Sequence, residues 1–263
     1  MRQFATAASG SSSPPLNVEF ESEESKIEDF SPGVTVLPAG STAIVTEVLM
    51  DARRVSGEAS PPGILNAAEA LRAAYERVRA TKAEIQIALP MVGHEFIDLR
   101  ARRGAFLPNY LQPQPMTYQQ ITVQMSQLDF NTELLVAGFE GTDAKIAVIT
   151  NPGQLFWLDK LGYGAIGSGG IHALATLNLS GQVRSRGLLA TLHAVYVAKS
   201  AAEVAPGVGQ TTDLGVIDRT TGRMTFLHPK VLDVLAEMRR KKREAPPPDL
   251  RGLKDAYEGN RGP

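Results

Sequence analysis

A chain of 263 residues with 27 Lys and Arg against 28 Asp and Glu is close to neutral, so no whole-chain field draws it to nucleic acid or to a membrane surface. Its 43% hydrophobic and 21% charged residues are ordinary globular composition, enough for one sizeable core. The sequence has no cysteine, which excludes disulfides, thiolate metal sites and cysteine nucleophiles together. Its apolar stretches are broken by charges well short of a membrane span, and a cytoplasmic protein is expected.

Residues 1–15, rich in Ala, Ser, Gly and Pro, are expected to form a flexible lead without the apolar core of a signal peptide. Leu16-Asn17-Val18-Glu19-Phe20-Glu21 alternates apolar and polar side chains, the pattern of a half-buried strand. Gly33-Val34-Thr35-Val36-Leu37 predicts a second strand, closed by Pro38-Ala39-Gly40. Ser41 can cap a helix through Ile44, Val45, Val48, Leu49 and Ala52. A longer helix follows through Ile64, Leu65, Ala68, Leu71, Ala74, Tyr75 and Val78, whose spacing of three and four builds one apolar stripe. The stretch from about Pro90 to Pro115 gives no assignable pattern.

Glu133–Phe139 is a continuous apolar run of strand length, and Lys145–Thr150 returns after a Gly141-Thr142-Asp143 turn. Asn151-Pro152-Gly153 predicts a type II turn into a third strand, Leu155–Leu158. Gly167-Ser168-Gly169-Gly170 leads into a helix through His172 and Leu179, and a second helix runs from about Leu188 to Val204. Asp213–Ile217 and Arg223–Leu227 are further strands around the loop 218–222. A last helix from Pro229 ends in the basic run Arg239–Arg243, followed by a polar tail at 244–263. Strands, then helices, then strands and a helix predict an α+β domain over 16–243 with antiparallel sheet.

The histidines His94, His172, His193 and His228 fall at no metal-ligand spacing, so no metal or cofactor is expected. The basic run reads as a solvated helix end favoured by the helix dipole. Taken alone, Lys26 is a solvated lysine in an acidic stretch. Ser168 can cap its helix, and Gly167–Gly170 can also be read as a phosphate cradle, although no Gly-Lys-Ser/Thr follows.

The order of these segments resembles the proteasome β-subunit and HslV-like peptidase superfamily of N-terminal-nucleophile hydrolases. The likeness is carried by Ser25-Lys26-Ile27 with Val34-Thr35-Val36-Leu37-Pro38-Ala39-Gly40-Ser41-Thr42-Ala43, by Leu134–Phe139, by Gly164–Gly170, and by Gly207-Val208-Gly209 through Asp213–Ile217. The resemblance implies a four-layer αββα sandwich of two antiparallel sheets between helix layers, assembled as rings of like or sister subunits around a chamber. It implies threonine-type hydrolysis of unfolded polypeptide, an ATP-dependent unfoldase as partner, and no nucleic acid or membrane. Carried across by position, Lys26 is the lysine that sets the local charge, Gly40 the oxyanion donor, and Ser168 the serine beside the nucleophile's amine.

The nucleophile itself has no counterpart. Phe4–Gly10 looks like the turn that closes the family's second strand, which would put the first strand and its threonine before Met1. Thr6 or Ser11, if freed by cleavage, would open a Ser/Pro-rich loop with nothing to position the hydroxyl. Ala205 and Val208 stand where some members carry an acid and a serine. The expectation is a peptidase subunit whose nucleophile is not in this chain; the alternative is a non-catalytic structural subunit of such a ring.

Overall fold

Alternation of side chains sets the first layer. In the computed structural model residues 26–56, 63–92 and 118–244 are described. The lead, the strand expected at Leu16–Glu21, His94 and the tail past Glu244 lie outside them. β1 (Glu28–Ser31), β2 (Val34–Ala39), β3 (Glu133–Glu140), β4 (Asp143–Thr150) and β5 (Gln154–Trp157) form one antiparallel sheet in that order. Val36 lies opposite Val136, and Val136 opposite Ala147. The period of two therefore sends Val34, Val36, Leu134, Val136, Ala147 and Ile149 to one face, where all are buried in a single cluster. Thr35, Leu37, Leu135 and Ile146 go to the other face.

Two helices cover the first face. α1 (Thr42–Ser56) buries Ile44, Val45, Val48, Leu49 and Ala52; α2 (Ile64–Ala83) buries Ile64, Ala67, Ala68, Leu71, Ala74, Tyr75 and Val78. These are the expected stripes, and the alanines allow close helix–sheet approach. Asp51 on α1 accepts hydrogen bonds from Arg54 (2.6 Å) and from Arg77 on α2 (2.8 Å), and the Arg54 bond foremost holds its carboxyl below the usual range. α2 runs past the expected end at Val78 into a π turn (Glu84–Ala88) and a short α3 (Leu89–Val92). α4 (Tyr118–Gln127), in a stretch without a sequence signal, packs on the π turn and buries Ile121.

β1 was not expected from the sequence. Its register slips by one residue between Asp29 and Ser31, and Phe30 enters the core cluster with the Arg53 guanidinium 5.9 Å from its ring centre. The turn after β4 also differs. The Asn151–Pro152 bond is cis and the closing bond runs from Gly153 N–H to the Thr150 carbonyl (2.7 Å). The turn is thus centred on Asn151–Pro152 rather than on Pro152–Gly153 as in the expected type II turn.

On the other face of the sheet lie a hairpin and a helix pair. β6 (Gly215–Ile217) and β7 (Met224–Phe226) pair antiparallel as a separate two-stranded sheet, and Met224 Sδ lies 3.8 Å from the Thr35 hydroxyl. α5 (Gly170–Leu179) and α6 (Leu188–Ala202) pack together through Ala173, Leu177, Ala194, Ala198 and Ala202, with Tyr163 in the same cluster. The α+β class with antiparallel sheet stands. Among the described residues the strands form a five-stranded and a two-stranded sheet.

The chain divides into two compact units, Met1–Phe226 and Leu227–Pro263. The second contains α7 (Pro229–Glu244), which carries the basic run in its last turns. There Lys241 bonds Glu237 one turn back at 2.8 Å and holds that carboxyl low. No helix among the described residues is long and apolar enough to cross a membrane.

Tyr75 supplies a test of the core. Its hydroxyl, on a side chain 1% exposed, donates to the Thr132 carbonyl at 2.9 Å. Burial foremost, helped by the charge of Asp129, pushes its ionisation up to about 12. The neutral phenol is thus favoured in the fold. That stability is fully present below pH ~10 and is lost as pH rises from ~10 towards ~12, a change of about 2–3 kcal/mol. Denaturant titrations across this range should show the decline, and Tyr75→Phe should abolish that part of it.

Candidate functional site

Antiparallel pairing brings the end of β2, the start of β3 and the end of β4 together at one end of the sheet. A cavity of about 590 Å³ opens there. Lys26, just before β1, Gly40, just after β2, and Ser168, before α5, all line it. The three residues singled out in the sequence, from segments far apart in the chain, are therefore neighbours around one space. Gly207, in the loop after α6, lines it as well.

Each wall has a local cause. Gly40 has φ +98°, and a Cβ placed there would stand 1.8 Å from the Asn131 carbonyl oxygen, so only glycine lets β2 end against this turn. Asn131 is itself left-handed at φ 48°, and its N–H bonds the Asp129 carboxylate at 2.8 Å. The Ser41 N–H donates to the Thr132 hydroxyl (3.3 Å), which donates in turn to the Phe130 carbonyl (3.0 Å). Across the cavity the Gly167 N–H donates to the Glu133 carboxylate at 2.7 Å. This bond fixes the Gly-Ser-Gly segment against the start of β3.

The cap expected from Ser168 is not formed. Gly169, not Ser168, occupies the N-cap of α5, and no side chain caps it. A Cβ at Gly169 would meet the Ala202 Cβ at 2.7 Å, so this glycine lets the start of α5 touch the end of α6. Ser168 is exposed at the cavity wall. Lys199 on α6 holds the following loop, bonding Glu203 (2.9 Å) and the Gly209 carbonyl (2.7 Å). Ala205 is buried, and Val208 packs on the α5–α6 cluster.

The sequence reading missed Asp129, Asn131, Thr132, Glu133 and Asn151, which also line the cavity. Asp-Phe-Asn-Thr ahead of a strand is an Asx-turn signal that could have placed the first three at the β3 entrance. The resulting site mixes one ammonium, two carboxylates, hydroxyls and main-chain groups. It offers both donors and acceptors to a polar ligand. Among the described residues no carboxylate makes an ion pair with Lys26. Among them, too, no group of three or more His, Cys, Asp or Glu could hold a metal.

Fold and cavity define an α+β protein with a polar pocket at one end of its larger sheet. A solved structure with a similar fold is an Anbu (Gly-1) mutant from Hyphomicrobium sp. strain MC1, with a TM-score of 0.52 and 11% identity, covering 93% of this chain and 90% of that one. At that identity the likeness extends to the fold alone. No family model matches the chain, and no curated protein matches it. The resemblance to the proteasome β-subunit and HslV-like superfamily is corrected by these findings. It rested on short glycine-punctuated segments that no family model supports, and the chain has its own arrangement of a five-stranded sheet, a two-stranded sheet and helices. Such glycines mark tight turns and close backbone approaches, which many α+β folds need.

Proposed function

We propose that this chain is a subunit of a proteasome-like, self-compartmentalising peptidase assembly, to which these residues contribute a polypeptide-binding cavity without its nucleophile. The observation that carries the reading is the meeting of Lys26, Gly40 and Ser168 around one cavity; the fold likeness to Anbu supports it. In this reading α1–α2, the five-stranded sheet, the β6–β7 hairpin and α5–α6 are the four layers of a sandwich. Lys26 sets a positive field at the pocket, the backbone at Gly40 faces a substrate carbonyl, and Ser168 bonds a neighbouring amine.

The α5–α6 pair supports the subunit part of the proposal. Ile171, Leu179 and Leu189 are 73%, 88% and 81% exposed, which is more apolar surface than a free helix pair ordinarily shows. Other copies or sister subunits would cover it, with an unfoldase feeding unfolded polypeptide. Light scattering on the purified chain should find a multi-copy particle that Leu179→Asp with Leu189→Asp breaks into monomers. Fluorogenic peptides should not be cleaved by it. A monomer at micromolar concentration sinks the assembly reading, and cleavage lost in Ser168→Ala would make Ser168 a nucleophile instead.

A further inference from the structure

The five-stranded sheet ends in two edges, β1 and β5, and they are built differently. A strand edge presents unpaired N–H and C=O groups that can template pairing with another chain, and proteins blunt such edges with charges, prolines or bulges. β1 carries Glu28 and Asp29 and slips register between Asp29 and Ser31. β5 is Gln154-Leu155-Phe156-Trp157, with no charge, no proline and an unbroken register against β4. Among the described residues no strand pairs with its outer side.

The ladder fixes which groups look outward. The Leu158 N–H donates to the Ile146 carbonyl at 2.8 Å, which makes these two a hydrogen-bonded pair. Val148 with Phe156 and Thr150 with Gln154 are pairs of the same kind, because the two kinds alternate along an antiparallel ladder. Leu155 and Trp157 therefore turn their N–H and C=O groups away from β4. Beside those groups Phe156 is 49% and Trp157 37% exposed, with Leu161 just beyond at 43%. Phe156 stands on one face of the sheet and Trp157 on the other.

We propose that the β5 edge is a docking site for an extended, unfolded stretch of polypeptide. The stretch adds to the sheet as one more strand, bonds the main chain of Leu155 and Trp157, and lays its alternate side chains beside Phe156 and Trp157. A second copy of the chain is the rival occupant. The open parts of Phe156, Trp157 and Leu161 come to roughly 300 Å², whereas a standard interface takes about 800 Å² from each partner. That is little for two folded copies and ample for a few residues of extended chain. Folded proteins keep their backbone groups paired, so the edge selects unfolded chain. None of Gln154, Leu155, Phe156 and Trp157 lines the polar cavity; the inference goes beyond the functional reading and does not depend on it.

Trp157 is the single tryptophan of the chain, so its emission reads this edge directly on the full chain. The probe is an acetylated and amidated heptapeptide of alternating threonine and valine between terminal lysines. Titration should shift the emission to the blue and saturate. Hydrogen exchange should then slow at the Leu155 and Trp157 amides, while those of Gln154, Phe156 and Leu158, which face β4, stay as they were. The same peptide N-methylated at each inner amide keeps its side chains but loses its donors, and should bind at least about tenfold more weakly. No saturable shift at up to about 1 mM peptide, equal binding by the methylated peptide, or protection that bypasses Leu155 and Trp157 overturns the proposal. An emission shift that follows the concentration of the chain itself, without peptide, assigns the edge to a second copy and overturns it too.

Discussion

Gly40→Ala is expected to cost roughly 4 kcal/mol or more and to lower the melting temperature by about 10 °C. Two penalties combine. The backbone there has φ +98°, a region that L side chains rarely adopt, and the new methyl would stand 1.8 Å from the Asn131 carbonyl, 2.8 Å from its carbon and 2.9 Å from Thr132 Cα. All three are main-chain atoms, so no rotamer change relieves the clash. Either β2 or the 129–132 turn must shift, and the Ser41–Thr132 bond goes with it. Gly141→Ala is the internal control. Its φ is +59°, yet nothing lies within 4 Å of the added carbon, so only about 1 kcal/mol of backbone strain applies. Calorimetry on the two variants separates conformation from collision; equal losses would rule out the collision.

Arg79→Ala comes next, at about 3 kcal/mol. One guanidinium nitrogen, Nη2, donates to the carbonyls of Met125 (3.0 Å), Ser126 (2.9 Å) and Leu128 (3.1 Å), while Nε holds the Asn151 side chain at 2.9 Å. Those carbonyls sit at or just past the end of α4, where a helix leaves its last acceptors without internal donors. A fixed planar fork can serve both groups; a lysine ammonium cannot reach them together. Arg79→Lys should therefore recover less than half of the loss by chemical denaturation. Full recovery would mean that charge, not geometry, fastens α4. Because Asn151 lines the polar cavity, both variants should also disturb that wall.

The parts of this fold readable from sequence are those where one physical signal acts alone. β3 and β4 were visible because both faces of the strand need apolar side chains, and α1 and α2 because their stripes repeat every three or four residues. β1 was not, because Glu-Asp-Phe-Ser sends one side chain, Phe30, into the core and its place is set by pairing to β2. α4 was hidden for a similar reason: in a glutamine-rich stretch Ile121 is its buried anchor, and its end is tied down by Arg79, far away in the chain. α2 outran its expected end because Arg79, Thr81, Lys82 and Glu84 interrupt the stripe without breaking the helix. For the candidate site, the glycines and Ser168 were legible as turn chemistry. The 129–133 wall was not, because its place beside Gly40 depends on strand register.

The continuous helix of α2, the π turn and α3 has a mechanical consequence. Its 20, 5 and 4 residues amount to about 40 Å of rod, whereas the longest strands, of eight residues, reach about 27 Å. The rod overshoots the sheet like a spar, leaving Ile85 and Leu89 in water on the overhang. α4 leans on this spar at the π turn. A pull or a thermal opening that begins at α4 is thus shared between the spar with its arginine tether and the five-residue link 128–132 that enters β3 directly.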